Sequence, residues 1–199
     1  MKIGKIVNST SHIDYACQVF SRGEYHPMPT PESYAFGSFV TIDVDDSLTA
    51  IQRIYGIIYD TQLVNPDYGS LGPRINTPED TIVTMPDYIN EIATLVGVFA
   101  IGWQANDGLT YQGIPPITAA LNGFVATLDV EEIERFHQSE HGGPTLSYVP
   151  ILMNQSHPLV PQLLTRIVDQ LGEQFPFHQN QLNILRNNFA WKSIVQPAG

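Results

Sequence analysis

The stretch His137-Gln138-Ser139-Glu140-His141 is the one whose residue types and spacing could do chemistry. On a helix the two imidazoles lie one turn apart and can share a zinc ion, while the intervening carboxylate activates a bound water. The string matches the H-x-x-E-H pattern of the inverzincin peptidases. Taken literally, it makes the chain a metal-dependent hydrolase using His137, Glu140 and His141. Two features oppose this. Gly142-Gly143-Pro144 follows at once, so the second His falls at a fraying helix end. That peptidase class also takes a third ligand from a Glu far downstream, and the last Glu of this chain is Glu173. The competing reading puts both His in the last turn of a helix, where imidazolium complements the helix dipole.

The remaining constellations point away from catalysis. Asp43, Asp45 and Asp46, with Ser47 and Thr49, gather carboxylates in one link, but the spacing, glycine and terminal Glu of an EF-hand are missing, so a solvated turn is expected. Gly69 and Gly72 in Asn65–Arg74 are not followed by the Gly-Lys-Ser/Thr of a phosphate loop. No nucleophile elbow or dinucleotide fingerprint occurs. Cys17, the only cysteine, lies in the apolar run Tyr15–Phe20 and reads as a packed thiol. His157 precedes Pro158 and reads as a residue at a helix start. No cofactor is expected.

The net charge of −11 narrows the partners. Nucleic-acid affinity comes largely from clustered Lys and Arg, and none of the nine basic residues is adjacent to another. A DNA-touching accessory protein would need folding to gather Lys2, Lys5, Arg22, Arg53 and Arg74. Charged residues are only 15% of the chain and aromatics 10%, which argues against disorder and suggests surface reserved for another protein. Met1–Lys5 lacks the apolar core of a secretory signal, and no run reaches the roughly 18 apolar residues of a membrane span. The expectation is a cytoplasmic protein with no membrane association.

The elements that would position these residues begin with β-structure. Ile3–Val7 and Ile13–Phe20 read as strands. Phe36–Ile42 and Ile54–Tyr59 are rich in β-branched and aromatic residues, and each holds one glycine, Gly37 and Gly56, of the kind that lets a small barrel turn its corners. From Asp60 to Glu91 the chain is irregular, with Pro66, Pro73, Pro78 and Pro86, and reads as a structured loop facing a partner. In that loop Asp67, Tyr68 and Arg74 are the candidate partner contacts, because aromatic and Arg side chains anchor interfaces. Ala93–Trp103 is apolar on both faces, which predicts a strand covered on both sides. Asn106-Asp107-Gly108 signals a hairpin returning through Leu109–Gln112. After about Ile117 the period changes to that of a helix. Asp129 and Glu132 form a capping box for a helix reaching about Glu140. A second helix from near Pro158 carries Leu159, Leu163, Ile167 and Leu171 on one stripe. A third, about Gln179–Val195, has Leu182, Leu185 and Phe189 on one face, with Ile184, Trp191 and Val195 on a neighbouring stripe. The last two form an α-hairpin.

Three segments together, Ile3-Gly4-Lys5-Ile6-Val7, Gly37-Ser38-Phe39-Val40-Thr41-Ile42 and Tyr55-Gly56-Ile57-Ile58-Tyr59, resemble the HAS barrel. That barrel heads the HerA-type hexameric DNA-translocating ATPases and the nucleotide-binding subunits of rotary ATP synthases. The whole chain also looks like a small group of stand-alone proteins carrying such a barrel and a helical tail. The resemblance implies a barrel fold and a role in lateral packing or partner docking. It does not carry ATP hydrolysis, since helices stand where the ATPase core would follow.

The expectation is therefore an α+β chain. A small antiparallel β-barrel of about six strands occupies residues 1–116, and a helical extension over 117–199 packs on the barrel or on a second copy. Its expected role is a non-catalytic interaction or assembly module, self-associating or docking on a protein such as a HerA-like hexameric ATPase.

Overall fold

The computed structural model describes residues 1–44, 49–65, 93–139 and 142–195, with the backbone alone described for 191–195. Seven strands are present among them: β1 (Lys2–Ser9), β2 (Asp14–Val19), β3 (Phe39–Asp43), β4 (Ile51–Val64), β5 (Ala93–Ala105), β6 (Thr110–Gln112) and β7 (Phe124–Thr127). They pair in the order β2-β1-β7-β3-β4-β5-β6, and β5 also pairs with β2. Every pairing is antiparallel. The second contact of β5 closes a six-stranded barrel and leaves β6 as a short flap on its rim.

Strand alternation explains why so much of the sheet is apolar. Val40 and Ile42 of β3, Ile54 and Ile58 of β4, and Val96 and Val98 of β5 fill the interior. Their neighbours Phe39, Tyr55, Ile57, Phe99 and Ile101 belong to a second core on the outer face. Gly56 is required inside: a Cβ there would lie 2.6 Å from Val98 Cγ1. Gly37 has a different role from the one expected. It lies ahead of β3 with φ of +83°, in a turn where its missing Cβ leaves room for the Arg166 side chain.

The α-helices among the described residues are α1 (Val130–His137), α2 (Val149–Met153), α3 (Val160–Gln174) and α4 (Gln179–Val195). The capping box forms as expected: Asp129 Oδ1 accepts from the Glu132 amide at 2.8 Å, and Glu132 Oε2 accepts from the Asp129 amide at 3.3 Å. Glu132 Oε1 also meets Arg53 Nη1 of β4 at 3.1 Å, tying the helix start to the barrel. Leu163, Ile167 and Leu171 of α3 pack with Leu182 and Phe189 of α4 into the outer-face core, so the extension roofs its own barrel. Among the described residues no helix is long and apolar enough to cross a membrane.

Three boundaries differ from the sequence reading. Residues 117–128, expected to open the helical extension, contain β7, which pairs with both β1 and β3 and is the sixth stave of the barrel. Four residues carry too few turns of either period to declare themselves. β4 continues through Asp60–Val64, which was expected to be irregular, because β5 gives those residues a ladder. α1 stops at His137 rather than Glu140: Gln138 is already extended and bridges to Pro144.

Candidate functional site

His137 is a core residue. It has no solvent exposure and lies edge-on to Phe39 at 5.0 Å. Its Nδ1 is 2.8 Å from the Ile133 carbonyl, which can only accept, so Nδ1 carries the proton. Its Nε2, 2.8 Å from the Tyr148 hydroxyl, is then the acceptor. Both nitrogens are occupied and no lone pair is left for a metal. Burial lowers the imidazole pKa to about 4 and raises that of the Tyr148 phenol well above its ordinary value. The pair clips the end of α1 to the start of α2. Glu140 and His141 lie outside the described residues. Among the described residues, no group of three or more His, Cys, Asp or Glu is placed to hold a metal ion.

Tyr59 sits at a β-bulge in β4, where Ile58 and Asp60 face consecutive residues Val98 and Gly97 of β5. Its ring stacks on Phe99 at 3.7 Å, and its hydroxyl donates to Asp14 Oδ1 at 2.8 Å. Burial and then the Asp14 contact push the phenol pKa up. His157, just before α3, packs edge-on to Tyr59 at 4.8 Å and lies 3.7 Å from Asp60 Oδ2. The cluster holds the helical roof to the barrel rim. Cys17 is buried inside the barrel with its thiol pushed up to about 12, as the packed reading expected.

The β5–β6 hairpin is built differently. Its turn is fixed by Asn106 Nδ2 donating to the Thr49 carbonyl at 2.7 Å, and by Gly108 at φ of +87°. Gln112 holds one face to the helices: its Nε2 donates to the Phe136 and Thr145 carbonyls, and its Oε1 accepts from the Ser147 amide at 2.7 Å. Trp103 and Tyr111 pair directly across the ladder on the opposite face, their rings stacked at 5.2 Å. Leu109 shares the Tyr111 face by strand alternation. Leu109 is 56% exposed and Tyr111 43%. Strand β6 ends the sheet, and its outer edge has no partner strand among the described residues.

The candidate partner contacts Asp67, Tyr68 and Arg74 fall outside the described residues, as do Asp45 and Asp46 of the acidic link. The hairpin itself was legible from Asn106-Asp107-Gly108; the partial exposure of Leu109 and Tyr111 was not, because no local pattern reports what lies across a strand.

These features define a closed six-stranded antiparallel barrel with one outer face roofed by its own helices and a rim hairpin carrying partly exposed aromatic surface. The profile of the family described as Domain of unknown function (DUF8166) matches residues 1–198, and the chain belongs to that family. No curated protein matches it.

Proposed function

We propose that this chain is a non-catalytic, cytoplasmic interaction and assembly module that docks on a protein partner through the rim hairpin. The observation that supports it is the exposed Leu109 and Tyr111, with the half-buried Trp103 stacked on Tyr111, beside a strand edge that has no partner strand among the described residues. Natural sheets cover or charge such edges, and a strand edge flanked by an aromatic anchor suits recognition by strand addition. The hairpin is pinned by Asn106 and Gln112, so little ordering entropy is lost when a partner binds.

The resemblance of β1, β3 and β4 to the HAS barrel makes a HerA-like hexameric ATPase the first partner to test. Asp67, Tyr68 and Arg74 are proposed as a second contact region. The experiment is a tagged pull-down from native cytoplasm, with and without ATP, comparing wild type with the Leu109→Asp/Tyr111→Ala double variant. Recovery of a stoichiometric protein partner that the variant loses supports the reading. A partner retained equally by the variant, or no partner at all, overturns it.

A further inference from the structure

Gln112 ties β6 to the corner where the chain passes from α1 to α2. Its Nε2 donates to the Phe136 carbonyl at 3.1 Å and to the Thr145 carbonyl at 2.9 Å, and the Ser147 amide donates to its Oε1 at 2.7 Å. His137 closes the same corner from inside. Its carbonyl accepts from the Thr145 amide at 2.7 Å, and its Nε2 accepts from the Tyr148 hydroxyl at 2.8 Å. A buried imidazole is therefore linked through Thr145 to the strand that ends the sheet.

The closed corner has no place for a second proton on this ring. Nδ1 already donates to the Ile133 carbonyl, and a proton on Nε2 would face the hydroxyl that donates to it. The side chain has no exposed surface, so its charge would be cut off from water. The groups against the ring from other elements are Phe39 of β3 and Tyr148 at the start of α2, with Tyr55 of β4 behind Phe136. Burial keeps both phenols protonated. On α1 itself Glu134 and Arg135 are exposed, and Glu132 is paired with Arg53. Among the described residues no carboxylate forms an ion pair with His137. Opening the corner gives the ring back its ordinary value of 6.5, against about 4 when closed. The open form takes up the proton about 300-fold more tightly, so acid favours opening.

We infer that the His137–Tyr148 pair is an acid-operated latch on the rim hairpin: protonation of His137 frees Tyr148 and, with it, Thr145 and Ser147, the groups that hold Gln112 and so β6. As regulation of docking this rests on the rim-hairpin reading. The latch itself is read on the protein alone, so its failure and the failure of that reading are separate results.

The test is residue-resolved amide hydrogen exchange on the full chain at about pH 7.5 and 5, each rate divided by that of an unstructured chain at the same pH. The amides of Gln138, Thr145 and Ser147 are expected to lose protection about 30-fold between the two, and those of Tyr111 and Gly113 to fall with them. A local opening exposes little surface, so these rates are expected to stay flat in sub-denaturing urea while those of β3 and β7 rise. In His137→Leu/Tyr148→Phe the same amides are expected to change less than about threefold with pH. Gln112→Ala is expected to keep the response of Thr145 and to remove that of Tyr111 and Gly113. Thr145 protection indifferent to pH, exchange that tracks β3 and β7 in urea, or a hairpin whose response survives Gln112→Ala overturns the inference.

Discussion

Removing His137 and Tyr148 together, as His137→Leu with Tyr148→Phe, is expected to flatten the acid side of the stability profile. The unfolded imidazole titrates near 6.5 and the folded one at about 4, because burial disfavours its charged form. Between those values the unfolded chain binds more protons, so stability falls as pH falls. The stabilisation is fully present above about pH 6.5 and is lost progressively toward pH 4. A shift of this size is worth about 2 kcal/mol between pH 7.5 and 5, and about 3 by pH 4. The assay is urea unfolding of both proteins at about pH 7.5 and pH 5. Carboxylates common to both proteins cancel, so the difference isolates the pair. Wild type is expected to lose about 2 kcal/mol more than the variant. The double replacement removes donor and acceptor together, so stability at pH 7.5 changes little, whereas Tyr148→Phe alone leaves Nε2 unpaired and costs about 1–3 kcal/mol. Coincident pH profiles would refute the buried, neutral His137.

Gly97→Ala is expected to destabilise by about 1–3 kcal/mol, because its Cβ would lie 2.6 Å from Tyr59 Cζ while Tyr59 is held by Phe99 and Asp14. In a Tyr59→Ala background that cost should vanish, and a thermal double-mutant cycle showing simple additivity would reject the contact. Protein purified without a His tag is expected to carry less than about a tenth of an equivalent of zinc, since both His137 nitrogens are already bonded. One equivalent by elemental analysis, lost in His137→Leu, would restore the metallohydrolase reading.

Much of the barrel was legible because its periods are long enough to speak. β5 reads as covered on both faces, and it is: Val96 and Val98 fill the barrel while Phe99 and Ile101 meet the helices. The α3 stripe of Leu163, Ile167 and Leu171 is wide enough to demand a surface to cover. What the stripe does not encode is whose surface. The outer-face core supplies the answer through Tyr55, Ile57 and Phe99, three side chains pointing away from the barrel axis on strands read only as apolar. β7 was missed for the opposite reason: Phe124–Thr127 becomes a strand only because β1 and β3 leave a gap its backbone can fill.

The same distinction governs the site residues. A helix-terminal His is equally consistent with a zinc ligand, a dipole partner and a core residue, because the motif specifies neighbours along the chain and says nothing of the ring's other contacts. The deciding partner, Tyr148, is eleven positions away and reaches His137 because the chain breaks at Gln138, bridges to Pro144, and returns its Thr145 amide to the His137 carbonyl at 2.7 Å. Gly142 and Gly143, read from sequence as a fraying helix end, are part of the turn that returns the chain toward His137. Leu109 and Tyr111 have the alternation of a strand with one buried face, and Gln112 on the other face is the residue engaged by the helices. The hairpin turns its polar side inward, where Gln112 donates to the C-terminal carbonyl of Phe136, and carries Tyr111 on the other face.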